Sequence, residues 1–131
     1  MPSLDPAAIQ RIAGPSWTGL RAAMTSTSEM LLAAGPGCDS ELTTIYVKFW
    51  RLRRGEKRVF AVTWLKSSAR LVIGLAVPTS VEHPRLVDAP VGMAYPGLTR
   101  YLILAPEEAV PVEFIEWSRS AYRAVAADSS G

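Results

Sequence analysis

Residues 45–75 read "IYVKFWRLRRGEKRVFAVTWLKSSARLVIGL", and the fold turns on how this stretch divides. Alternation opens in "TTIYVKFW" (43–50), where Ile45, Val47 and Phe49 fall on one side and Tyr46, Lys48 and Trp50 on the other. A period of two marks a strand with one buried face. "RVFAVTW" (58–64) is β-branched and aromatic, as strands favour, and "RLVIGLAV" (70–77) sets Leu71, Ile73 and Leu75 on one face. The links "RRGEK" and "KSS" are short and polar. A parallel return needs a crossover of about a dozen residues or more, so the three strands are expected to run antiparallel. After a long loop with four prolines, "PTSVEHPRLVDAPVGMAYPG" (78–97), "LTRYLILA" (98–105) supplies a fourth strand.

Helices flank this block. Asp5-Pro6 suits a helix start, and the helix should end near Gly14-Pro15, because a residue before proline disfavours helical dihedrals. Ser16 caps a second helix with Trp17, Leu20, Met24 and Leu31 at helical spacing. The hydroxyl run "TSTS" (25–28) predicts a break, with Ser28 recapping a short further turn. "GPGCDSE" (35–41) reads as a stop and a loop. Pro106, Glu107 and Glu108 form an acidic lead-in, and Pro111 suits the first turn of a closing helix. In that helix Phe114, Trp117, Ala121 and Val125 make an apolar stripe, with Glu113, Glu116, Arg119 and Arg123 mainly opposite.

These elements predict an α+β fold in the order ααββββα: a four-stranded antiparallel meander with two N-terminal helices and one C-terminal helix packed on the sheet. A single domain is expected over 1–131. Its helical part is 1–42, its sheet 43–104, its last helix 109–126 and its loose tail 127–131.

The chain's 49% apolar and 20% charged residues belong to a globular protein rather than a disordered one. Cys38, the single cysteine, cannot form an internal disulfide. No uninterrupted apolar run approaches the roughly 18 residues of a membrane span, and the N-terminus lacks the pattern of a signal peptide. A cytoplasmic location without a membrane partner is therefore the expectation. The net charge of +2 hides an uneven layout: residues 44–100 carry ten bases and three acids, and residues 101–131 two bases and five acids. Such a layout concerns fields and partners, not fold.

Enzyme signatures are missing. The chain has no phosphate-cradling loop, no dinucleotide fingerprint and no H-E-x-x-H. One cysteine and one histidine make a poor ligand set, so neither a metal nor a cofactor is expected. Cys38 and His83 would need to meet, and to find a third orienting group, to act as nucleophile and base. No residue is assigned a catalytic role, and the sequence points to a non-enzymatic binding or interaction domain.

Two sites follow from the residues. Lys48, Arg51, Arg53, Arg54, Lys57 and Arg58 cluster around one hairpin, which would suit an anionic partner, nucleic acid among them. Trp50 shares parity with Lys48, and a ring beside positive charge is the combination that single-strand binders use. The bland reading of the same residues is a solvated tip whose charges keep an edge from pairing with other sheets. The alternative site is an aromatic cleft of Trp64, His83, Tyr95 and Trp117, placed between the proline-rich loop and the last helix to dock a small ligand or a protein. Apolar surface left uncovered would favour a homo-oligomer.

The block from residue 44 to 125 resembles the bacterial DUF5655-type domains of unknown function. The resemblance rests on "IYVKF", "FAVTWLKSSARLVIGL", "GLTRYLIL" and "FIEWSRSAYRAV". The matching positions are Tyr46, Val47 and Phe49, then Phe60, Ala61 and Lys66, then Leu71 and Ile73, and finally Ala121 with Tyr122. The layout is also similar to that of MmcQ/YjbR-like proteins, which have been suggested to bind DNA. The turn region "RLRRGEKR" is longer and more basic than the family pattern, and His83 departs from the family's histidine spacing. The resemblance implies a strand meander closed by a helix and brings no catalytic residues.

Overall fold

The structure is a computed structural model that describes residues 20–128 apart from 44, 45, 65–69, 91, 93 and 106. The expected helix at 5–14 and residues 129–131 of the expected tail lie outside the described residues, whereas 127 and 128 continue the last helix. Within them the order is α1 (Arg21–Leu32), β1 (Cys38–Leu42), β2 (Tyr46–Arg53), β3 (Glu56–Trp64), β4 (Leu71–Leu75), β5 (Leu86–Val87), β6 (Arg100–Leu104) and α2 (Phe114–Asp128). The protein is α+β with an antiparallel sheet, and β2, β3, β4 and β6 are the four expected meander strands.

The sheet has six strands, in the order β1-β2-β3-β4-β6-β5, not four. Strand β1 occupies the end of a stretch whose glycines and acids read as loop. It forms because its partner is local: residues 38–42 fold back on 47–51. Thr43 hydroxyl and N–H both donate to the Tyr46 carbonyl, each at 2.8 Å. Strand β5 is only two residues long, pairing Leu86 and Val87 with Leu102 and Tyr101, too short to show a period.

Helix α1 also departs from expectation, since it runs unbroken through Thr25–Ser28. Thr27 hydroxyl donates to the Ala23 carbonyl at 2.8 Å, so it is satisfied inside the helix and does not draw the backbone out of it. Burial decides the matter. Leu20, Ala23, Met24, Thr27, Ser28 and Leu31 are all buried, and their spacing is helical throughout. The closing helix starts at Phe114, later than Pro111 suggested. Glu108 serves the sheet end instead, accepting the Ala105 N–H at 2.9 Å.

The helices cover one face of the sheet, with α2 against β3 and β4 and α1 against α2 and β1. Val47, Phe49, Ala61, Leu71, Ile73, Leu75, Leu102 and Leu104 are fully buried in that interface, opposite Met24, Leu31, Phe114 and Ala121. The other face is aromatic. Tyr46 and Tyr95 meet Trp64 edge-on at centroid distances of 5.9 and 6.5 Å, and Tyr101 lies 5.9 Å from Trp64. Gly74 makes room beneath them, for a Cβ there would stand 2.7 Å from the Tyr101 ring and 2.8 Å from Leu98.

Between β4 and β6 the chain is tied down by side-chain and backbone bonds as well as by the short β5. The Arg100 guanidinium donates to the carbonyls of Thr79 and Val81 at 3.0 and 3.3 Å, and Thr99 N–H to that of Leu75 at 2.9 Å. Such bonds satisfy backbone groups that a packed loop otherwise leaves bare.

One core position is suboptimal. Thr63 is fully buried on the helix-facing side, and its hydroxyl has no hydrogen-bond partner among the described residues. An unsatisfied buried hydroxyl costs about 1–3 kcal/mol. Thr63→Val keeps the shape and should raise the unfolding free energy in urea by about 1 kcal/mol, whereas a loss of stability would show that the hydroxyl is bonded.

Candidate functional site

The β2–β3 hairpin is built by a two-residue turn. Arg54 (φ 52°) and Gly55 (φ 79°) both adopt the left-handed region, as a twist-matched type I′ turn requires. The turn is therefore shorter than "RRGEK" suggested, and both strands run to its base, where Arg53 stands opposite Glu56. The register slips between Phe49 and Trp50, which pair with Ala61 and Val59 and leave Phe60 as an extra residue on β3. A bulge of this kind bends and twists the ribbon.

Cross-strand register then distributes the cations. Arg51 and Arg58 oppose each other on the helix side, while Lys48 and Lys57 share the other face with Trp50 and Leu52. Arg51 is bound to the body: its guanidinium sits 3.9 Å above the Tyr122 ring and reaches the Tyr122 carbonyl at 3.4 Å. Lys48 pairs with Glu41 at 3.4 Å and Arg58 with Glu56 at 2.9 Å, solvent-facing pairs of small energetic weight. Arg54 and Lys57 are exposed, and among the described residues neither forms an ion pair.

Trp50 is not an open platform. It is only 8% exposed, and the Lys57 ammonium lies 4.4 Å from its ring centre. Tyr46, the other ring on this face, is flanked by Trp64 and by Tyr95 at 6.1 Å. The exposed apolar side chain near the tip is Leu52, which the sequence reading passed over. Its parity with Lys48 and Trp50 was the available signal.

The four residues of the expected aromatic cleft do not meet as one site. Trp64 and Tyr95 pack together on the aromatic face of the sheet. His83 and Trp117 form a separate pair, 5.0 Å apart and edge-on, beside the first turn of α2. The reason is parity: Trp64 points away from the face that α2 covers. His83 Nδ1 accepts the Arg85 N–H at 3.0 Å, and Nε2 lies 3.5 Å from Glu113. It borders an open cleft of about 620 Å³ with Glu82, Pro84, Leu86, Val87, Asp88 and Arg100, where Arg100 is already committed to loop carbonyls.

Cys38 begins β1 at one edge of the sheet, and His83 precedes β5 at the other, with four strands between. The two do not form a dyad. Burial pushes the Cys38 thiol above its ordinary range, although backbone N–H groups of residues 34 and 35 and the charge of Arg51 act in the opposite sense. Among the described residues no three His, Cys, Asp or Glu side chains gather to hold a metal ion. No described helix is long and apolar enough to cross a membrane.

Comparison with known proteins yields no match to a protein-family model, a curated protein or a solved structure.

A buried thiol of raised pKa reacts slowly, because the thiolate is the nucleophile. Labelling of Cys38 with a thiol reagent at neutral pH should run at least about tenfold below the rate in the unfolded chain. Equal rates would contradict its burial.

Proposed function

We propose that this protein is a non-enzymatic binding domain that docks an anionic partner, such as nucleic acid, through the tip of the β2–β3 hairpin. The observation that supports this reading is the state of Arg54 and Lys57, exposed and without acidic partners among the described residues at the end of a two-residue turn. A short turn between paired strands fixes the backbone that carries the two cations, so binding has only their side chains to order. Arg51, Arg58 and Lys48 have partners within the fold and add to the field more than to direct contact. Arg53 stands in register opposite Glu56 at the base of the turn.

The rings on this side are largely covered, so phosphates rather than bases are the natural target. The resemblance to DUF5655-type domains belongs to the same reading, since it brings a fold without catalytic residues.

With about two phosphates neutralised, log affinity should fall with log salt at a slope near −2, a loss of about tenfold between roughly 50 and 200 mM. Fluorescence anisotropy with a generic oligonucleotide measures this. Arg54→Glu with Lys57→Glu should remove binding while lowering the melting temperature by no more than about a few degrees, the worth of the Lys57–Trp50 contact. Absence of binding at low salt contradicts the proposal.

A further inference from the structure

The molecule carries complementary surfaces at its two ends. The β2–β3 ladder finishes at Arg53 and Glu56, which defines the tip end of the sheet. Trp64 pairs with Val72, and Leu71 with Leu104, at the opposite end. Eight residues of β2 at roughly 3.3 Å each separate the two by about 26 Å. At the tip Leu52 is 53% exposed, faces Lys57 across the ladder and lies next to the turn that carries Arg54. Leaving β6 at the far end, the chain runs past α1 towards α2 and leaves an open groove of about 440 Å³. Ala22, Ser26 and Met30 form one wall and Val110 and Val112 the other, with Glu107 at the rim. Val112 is 85% exposed and Ile115, on the first turn of α2, 40%. Glu107 and Glu108 are the acids that line the groove. Glu108 is held by Arg85 at 2.6 Å, whereas Glu107 is exposed and has no ion pair among the described residues.

We infer that a second copy of this chain occupies the groove, its hairpin tip entering with Leu52 against Val110, Val112 and Met30 while Arg54 and Lys57 approach Glu107. An apolar side chain flanked by cations at one end thus meets an apolar groove with an unpaired acid at the other. The sheet edges favour this end-to-end contact over side-by-side pairing. On the outer strand β1 the Ser40 N–H is taken by the Asp39 carboxylate at 2.7 Å. Beside β5, Arg85 donates to the Ile103 carbonyl at 3.1 Å and bonds Glu108 at 2.6 Å. Polar side chains of this kind blunt a sheet edge against strand addition. Because tip and groove are different surfaces, each contact leaves a free tip and a free groove, and association continues beyond a dimer. The inference does not rest on oligonucleotide binding, although a polyanion on the tip would compete with the groove.

Sedimentation velocity of the full chain tests it, from micromolar to near-millimolar concentration. At about 50 mM salt the average mass should climb from 14.2 kDa past that of a dimer, and at about 500 mM it should fall back towards the monomer. Leu52→Asp and Val112→Lys alter exposed side chains and should each weaken association about tenfold or more without changing the melting temperature. Arg54→Glu and Glu107→Lys should each weaken self-association, and mixing the two variants should restore a pair between unlike chains. A monomer at every concentration and salt, association that stops at a dimer, or association indifferent to Leu52 and Val112 would overturn the inference.

Discussion

The ring of Tyr122 joins three parts of the chain that are far apart in sequence. Its hydroxyl donates to the Pro36 carbonyl at 2.5 Å, its face carries the Arg51 guanidinium at 3.9 Å, and Phe60 meets it edge-on at 5.9 Å. Gly35 passes so close that a Cβ there would lie 2.4 Å from the ring. The closing helix, the root of the hairpin and the link from α1 to β1 are therefore fixed by one side chain. Without that junction the amphipathic face of α2 would still find the sheet, but the hairpin would lack a defined exit from the body. The cation over the ring is worth about 0.5–2 kcal/mol, depending on how far water is excluded.

The junction also explains why a run of basic residues divides into two kinds. Arg51 faces the body and serves as part of the packing, much as a long side chain does when its stem and plane cover an apolar surface. Further along, Arg54 in the turn and Lys57 on the opposite face form no ion pair among the described residues. The bulge at Phe60 adds twist at the point where the ribbon passes the body.

Much of the fold was legible because the sheet is buried on one face by helices and on the other by aromatic rings. Period two in 43–50 and the apolar runs at 58–64 and 70–77 have no other stable use, and α2 declared itself by the stripe from Phe114 to Val125. What escaped was decided by tertiary contact. "CDSEL" has no strand composition and pairs only because β2 is beside it. "TSTS" stays helical because Thr27 and Ser28 are buried against the core, although the Ser28 hydroxyl finds no partner. The basic cluster was visible in one dimension, but the partners of its members came from strand register, which assigns Glu41 to Lys48. The aromatic cleft failed for the same reason, since sequence shows that Trp64 and Trp117 are large and apolar without showing that they end up in different layers.

The most direct test of the junction is a double-mutant cycle in urea between Arg51→Ala and Tyr122→Leu. If the stacked pair anchors the hairpin, the two losses of stability should fall short of additive by about 1 kcal/mol, the coupling carried by the contact itself. Additivity to within about 0.3 kcal/mol would show that Arg51 and Tyr122 act independently, and the root of the hairpin would then have to be held by something else.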